Sequence, residues 1–338
     1  MMLPDGLQKI IESKPYRTAL SLPDAPVEQY RLLAQGEYNR NYCFEHPRTG
    51  ETLVLRENIA SQMHLADQIG YEYHALKMLE ASGRTPKVFY VDGSLKLYPR
   101  GVLVMSYLPG HVLDYATEAS YAAAVLADIH SVSVPENDPV FIKPKEPLSA
   151  ILTECEEMFR VYETSDEGDA EKKRLIRHML DKGWARAKQY GFKPPYRCLI
   201  NTELNATNFL INAPWGANYL VDWEKPLYGD PAQDLGHFLA PTTTFWKTDD
   251  IFGTDEMRDW IAVYIREAGN RFPTQGLEER TFVYIPVTCL RGITWCSMAW
   301  VEYRRPDKEI SNASTRRKLD EYLELSFLER INRLLDDM

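Results

Sequence analysis

The sequence predicts an α+β protein of two lobes, a small N-terminal lobe on an antiparallel sheet and a larger, mostly helical C-terminal lobe. Three observations predict it. Up to Gly110, short apolar runs bounded by turn residues surround one strong helical pattern. After Gly110 the strand pattern gives way to helical periodicity, apart from one hairpin pattern within 208–221. The 338 residues suffice for two packed lobes, and 44 % hydrophobic with 12 % aromatic residues suffices for their cores. The expected division is 1–110 and 111–338.

In the first lobe, 3–13 reads as a short amphipathic helix with Leu3, Leu7, Ile10 and Ile11 on one side. A Pro-containing link leads to strands at 29–34 and 41–45, around the turn Gln35-Gly36-Glu37-Tyr38-Asn39-Arg40. A second turn precedes a strand at 51–56 that ends on Arg56. Residues 65–82 form a helix with Ile69, Tyr73, Leu76 and Leu79 on one face, stopped by Gly83. Strands at 87–91 and 102–107 follow, joined through Asp92-Gly93-Ser94.

In the second lobe, 121–131 is a strong helix, 131–148 a Pro-rich surface link, and 150–163 and 170–189 two further helices. Glu154, Glu156 and Glu157 are expected in solvent, the alternative being that they face an amine. Helices are expected at 255–268, 278–303 and 314–335. The second of these is nearly apolar and reads as a core helix, with Arg291 placed to neutralise an internal carboxylate.

Composition excludes several functions. A net charge of −10, from 39 basic and 49 acidic residues, argues against a nucleic-acid partner; it is compatible with a cationic small substrate, though the plainer reading is that it only keeps the protein in solution. No apolar run approaches the ~20 residues of a membrane helix, and the N-terminus has no signal-peptide core, so no membrane partner and a cytoplasmic location are expected. Five scattered cysteines without a C-x-x-C pair fit free thiols.

The chemistry concentrates in 199–235. Apolar runs on both sides of Pro214-Trp215-Gly216 read as a β-hairpin. Such a hairpin holds Asn208 at one strand start and Asp222 at the other strand end. An amide oxygen and a carboxylate are hard ligands, suited to Mg²⁺ that carries a phosphate-bearing substrate. Glu203, five residues before Asn208, is where a loop offers a base to an attacking hydroxyl. For any one acid the plain alternative is a solvated or capping carboxylate.

This arrangement resembles the aminoglycoside phosphotransferase and choline kinase branch of the protein-kinase-like fold. That branch carries His-Gly-Asp, four residues, then Asn, then a strand and Asp-Trp or Asp-Phe, then Gly-Asp-Pro, two residues and Asp-Leu. Here Val221-Asp222-Trp223-Glu224 and Gly229-Asp230-Pro231-Ala232-Gln233-Asp234-Leu235 match the later motifs, and Asn208 matches the Asn. The His-Gly-Asp positions hold Asn201-Thr202-Glu203.

The resemblance, which covers about 29–239, implies a catalytic set of Glu203 as base with Asn208 and Asp222 as Mg²⁺ ligands. It implies nucleotide contacts at Gly36 and Asn39 of the first turn, at Arg56 paired with Glu72, and at Met105 and Tyr107 of the hinge beside an adenine. It makes His130 and Asp234 structural, and gives Asp230 the task of orienting the metal loop or the acceptor. Taken alone, a single glycine between strands marks a turn, and a glutamate on a helix is solvated. ATP (or another nucleoside triphosphate) and Mg²⁺ are the implied cofactors. Two functions fit best, an ATP-dependent phosphotransferase acting on a hydroxyl of a small molecule or a catalytically silent nucleotide-binding or scaffold protein with Glu203 as a relic; modification of a protein or of a sugar on a lipid is a third.

Overall fold

A computed structural model gives the fold and describes residues 3–4, 6–36, 38–61, 63–191, 193–305 and 313–337. The chain forms two compact units. The first comprises the chain up to Val112 with Val132–Ile142 and Phe209–Pro226; the second comprises Leu113–Ser131, Lys143–Asn208 and the chain from Leu227 on.

The N-terminal apolar pattern of the first unit folds as two helices, α1 (Leu7–Glu12) and α2 (Lys14–Ala19), where one is expected. Ser13 divides them. Its backbone is extended, its hydroxyl accepts from the Tyr16 N–H, and Pro15 occupies the first turn of α2, where its missing N–H costs nothing. Leu7, Ile10, Ile11 and Tyr16 join Tyr42, Phe44, Leu55 and Val104 in one core.

That core lies on a five-stranded sheet. Its strands are β1 (Arg31–Gln35), β2 (Asn39–Glu45), β3 (Thr52–Asn58), β4 (Val88–Asp92) and β5 (Val102–Ser106). They lie in the order β1-β2-β3-β5-β4, and every neighbouring pair is antiparallel. Glu37 of the expected first turn lies outside the described residues. Between β3 and β4 runs α3 (Gln68–Leu79), continued by a 3₁₀ turn and stopped by Gly83 at φ 67°. The hairpin is present as β8 (Phe209–Ile211) and β9 (Tyr219–Leu220), and β6 (His111–Val112) adds a third strand on β8.

In the second unit, α4 (Tyr115–His130) starts earlier than its strong pattern because Asp114 caps it, accepting from the Ala116 N–H. Then come α5 (Pro147–Glu163), α6 (Ala170–Gln189) and β7 (Cys198–Ile200), which pairs antiparallel with β10 (Leu227–Gly229). Six helices follow: α7 (Pro231–Leu239), α8 (Pro241–Lys247), α9 (Thr254–Ala268), α10 (Leu277–Glu302), α11 (Ala313–Tyr322) and α12 (Leu325–Asp337). The expected helix over 314–335 is thus two.

α10 is the core helix the sequence predicts. Although Arg291 interrupts it, α10 is long and apolar enough to cross a bilayer, and 72 % of its most apolar window is buried in the protein. It meets α7 closely at Gly236, where an added Cβ would lie 2.5 Å from the Cβ of Tyr284. All five cysteines are free and buried, and burial pushes the thiols of Cys155 and Cys289 up to about 12.

Candidate active site

In the first unit, β3 and α3 bring Arg56 to Glu72. Arg56 Nη1 donates to Glu72 Oε1 at 2.5 Å and to Asp222 Oδ1 at 3.0 Å, while its Nε donates to Asn41 Oδ1 at 3.0 Å. The Arg56 and Glu72 side chains are buried, whereas that of Asp222 is 33 % exposed. Burial works against the Arg56 charge, and Glu72, Asp222 and Glu224 outweigh it, so the guanidinium stays charged. For Glu72 burial outweighs Arg56, and the carboxyl is pushed up to about 7. Asp222 sits at φ 65°, an uncommon left-handed backbone for a non-glycine residue of the kind found at functional sites.

Two more side chains fasten the segment after β9. Asn39 Nδ2 donates to Glu224 Oε2, and Gln68 Nε2 donates to the Glu224 carbonyl at 2.6 Å. Asn39, expected at the phosphates, therefore binds the carboxylate two residues beyond Asp222. Gly36 is exposed, and its N–H donates to the Asn39 carbonyl at 2.9 Å, closing the β1–β2 turn.

At the expected hinge, Met105 is buried within β5, opposite Val54 and Val88. The Tyr107 side chain is exposed, but its N–H donates to the Thr52 carbonyl at 3.2 Å. The next N–H, that of Leu108, has no hydrogen-bond partner among the described residues.

In the second unit the loop after β7 is held by its own backbone. The N–H groups of Asn201 and Thr202 donate to the two oxygens of Asp234, at 2.7 and 2.8 Å. The Glu203 N–H donates to Asn201 Oδ1 at 3.0 Å, and the Leu204 N–H to His237 Nδ1 at 3.1 Å. Asp234 and His130 are fully buried, and His130 also meets the Tyr264 hydroxyl at 2.7 Å. Both are structural, as expected. Thr202 adopts φ 69° within this loop.

Glu203 and Asn208 meet through the loop. Asn208 Nδ2 donates to the Glu203 carbonyl at 2.8 Å, which leaves Asn208 Oδ1 without a partner among the described residues. Glu203 Oε1 accepts from Arg291 Nη2 at 3.2 Å, and Oε2 has no partner among the described residues. Arg291 also donates through Nε to Glu154 Oε2 at 3.1 Å and through Nη1 to the Thr202 carbonyl at 3.4 Å. Burial opposes the Arg291 charge, and Glu154 and Glu203 restore it.

One expectation is corrected and one residue gains contacts. For Asp230 the structure adds two contacts that were not expected: it caps α7 through the Ala232 N–H and takes Arg280 Nε at 2.7 Å, with both side chains buried. Glu154 and Glu156 do not simply face solvent, since Glu154 binds Arg291 and Glu156 binds Arg177 and the Trp184 indole. The second unit also holds a cavity of about 510 Å³ walled by Lys145, Trp184, Arg197, Tyr228 and Tyr284; no residue of the 201–208 loop lines it.

Sequence reasoning missed Gln68 and His237, placed Glu154 in solvent, and left Glu224 without a role. The only signal was position: Glu224 lies beside Asp222 in a matched motif, and His237 lies three residues beyond Asp234. Among the described residues no group of three or more His, Cys, Asp or Glu side chains could hold a metal unaided.

No curated protein matches the sequence. Solved structures do. A spectinomycin phosphotransferase in complex with ADP and spectinomycin is 12 % identical with a TM-score of 0.63, and the match covers 93 % of this chain and 94 % of that one. A microcompartment-associated aminopropanol kinase is 15 % identical with a TM-score of 0.66, covering 95 % and 97 %. Choline kinase from Cryptosporidium parvum is 12 % identical with a TM-score of 0.64, covering 92 % and 90 %. At such low identity the likeness shows a shared fold, the kinase-like α+β fold expected from the sequence. The profile of the phosphotransferase enzyme family matches residues 29–279, and the chain belongs to that family.

Proposed function

We propose that the protein is an ATP-dependent phosphotransferase acting on a hydroxyl group of a small molecule. The observation that carries this reading is the Arg56 guanidinium shared between Glu72 and Asp222. A buried cation braced by one carboxylate and touching a second, partly exposed one is suited to nucleotide phosphates beside a metal-binding acid.

In this reading Arg56 contacts the phosphates and Glu72 holds it in place. Gly36 lines the phosphate side, and Asn39 supports it from behind, closing the same turn through its carbonyl while its side chain holds Glu224. Met105 and Tyr107 flank the adenine, and the Leu108 N–H, which has no partner among the described residues, is the backbone donor that follows them in the chain. Mg²⁺, when bound, would neutralise charge on the transferring phosphates, and Asp222 with Asn208 Oδ1 would hold it. The acceptor hydroxyl gives its proton to Glu203 Oε2. Its oxygen bonds to the γ-phosphorus as the bond to the bridging β-oxygen breaks, and ADP leaves with that electron pair. Family membership and the unpartnered oxygens of Glu203 and Asn208 support these roles. Choline and aminopropanol, named with two of the similar structures, are the first acceptors to screen.

The test is calorimetric titration of ATP with and without Mg²⁺ on wild type and Asp222→Ala, followed by an acceptor screen. The reading expects Mg²⁺-dependent binding that the substitution removes, then transfer that Glu203→Gln removes while ATP still binds. Binding indifferent to Mg²⁺, with no transfer to any acceptor, would overturn it in favour of a silent nucleotide binder.

A further inference from the structure

We infer that Arg291 is a positioning residue for the base. It holds Glu203 by one carboxylate oxygen so that the other faces the acceptor, and the loop is built for a glutamate because of it. The inference rests on the reading of Glu203 as the base and adds to it the device that aims the carboxylate.

The loop backbone is already fixed without Arg291. The four N–H groups from Asn201 to Leu204 donate to Asp234, Asn201 and His237. These bonds fix the Glu203 Cα and leave its side-chain torsions free. Arg291 is the one side chain, among the described residues, that bonds the Glu203 carboxylate. It is held at three points: Glu154 on α5, the Thr202 carbonyl and Glu203 itself. Its stem rises from a buried core helix, and its side chain is 15 % exposed, against 21 % for Glu203 and 34 % for Glu154. A planar guanidinium with fixed donor directions suits this bridging, which a lysine ammonium cannot reproduce at three points.

Reach explains the residue type. A glutamate extends about 1.5 Å further than an aspartate, one carbon–carbon bond. The Nη2–Oε1 distance is 3.2 Å, so an aspartate on the same backbone falls short of bonding distance. The other oxygen of the shortened side chain would then be aimed by nothing. Displacing a reacting group by about 1 Å can cost about 100-fold in rate. Glu154 completes the device: without it Arg291 keeps only the groups it is meant to hold.

The experiment compares kcat, the KM for ATP and the thermal midpoint in wild type, Arg291→Met, Arg291→Lys, Glu154→Gln, Glu203→Asp and Glu203→Gln, using whichever acceptor the screen finds. Arg291→Met is expected to lower kcat by about 10- to 100-fold with the KM for ATP within about twofold. Arg291→Lys is expected to recover only part of the loss. Glu203→Asp is expected to lower kcat as well, and to have little further effect in the Arg291→Met background. A purely structural role would shift the midpoint and leave those ratios alone. Unchanged kcat in Arg291→Met with kcat abolished in Glu203→Gln overturns the positioning role and spares the base. Unchanged kcat in Glu203→Gln, or a wild type that transfers to no acceptor, overturns both. A faster Glu203→Asp overturns the argument from reach. If Arg291→Met fails to fold, Glu154→Gln takes its place: a lowered kcat supports the positioning role and an unchanged one overturns it.

Discussion

Asp234 Oδ2 and His130 Nε2 meet at 3.1 Å with both side chains fully buried, and the same carboxylate receives two consecutive backbone N–H groups of the Glu203 loop. One aspartate thus satisfies three donors. Asp234→Asn turns an acceptor oxygen into a donor and leaves at least one of them facing an N–H. It should cost about 1–3 kcal/mol, the usual penalty of a buried unsatisfied group. Urea unfolding measures the loss. Faster amide exchange at Asn201 and Thr202 would localise it, and unchanged exchange there would contradict the role.

Much of this arrangement was legible in the sequence, because motif spacing carries the placements that chain geometry imposes. The pairing of Arg56 with Glu72 follows from the family resemblance alone, since a glutamate on a helix is by default solvated. The features that escaped depend on contacts between distant segments. Three-residue strands such as β7 and β10 show no alternation to count. The break between α11 and α12, at Leu323-Glu324, has no glycine or proline to mark it. The engagement of the Tyr107 N–H depends on sheet pairing, which no local pattern gives. Arg291 read as the partner of some internal carboxylate, and only the packing of α10 shows that Glu203 and Glu154 are the ones.

Arg280 and Asp230 form a buried pair with side chains 7 % and 2 % exposed. Arg280→Met strands the aspartate and should cost about 3–5 kcal/mol in unfolding free energy. Adding Asp230→Asn removes the stranded charge while keeping a capping side chain, and should recover part of the loss. Equal stability of the single variant and wild type would show the pair to be neutral.

Glu72 makes stability depend on pH. Its carboxyl titrates at about 7 in the folded chain, against an ordinary value of 4.5. Between these values the folded state holds the proton more tightly than the unfolded chain. The contribution is therefore full below the ordinary value and is lost as pH rises through about 7. Glu72→Gln has no such proton to lose. Its stability relative to wild type should rise from acid to mildly alkaline pH, read from urea midpoints across that window. A flat difference would mean that Arg56 keeps the carboxylate charged throughout.

Gly236 lets α7 and α10 approach each other at Tyr284. Gly236→Ala sets a methyl group 2.5 Å from the Tyr284 Cβ, so backbone must shift. Overpacking of this kind costs about 1–3 kcal/mol, more than a helical alanine returns. Thermal unfolding of the variant checks it, and a raised midpoint would show that the two helices part freely.

The burial of every cysteine turns the native protein into its own reporter of opening. A thiol held out of water does not meet an alkylating reagent until its surroundings part. Cys43 belongs to the first unit, and Cys155, Cys198, Cys289 and Cys296 belong to the second. Labelling rates followed cysteine by cysteine would therefore time the loosening of each unit separately, with no probe added to the chain. Nucleotide added to such a reaction would slow the clock of whichever unit it braces.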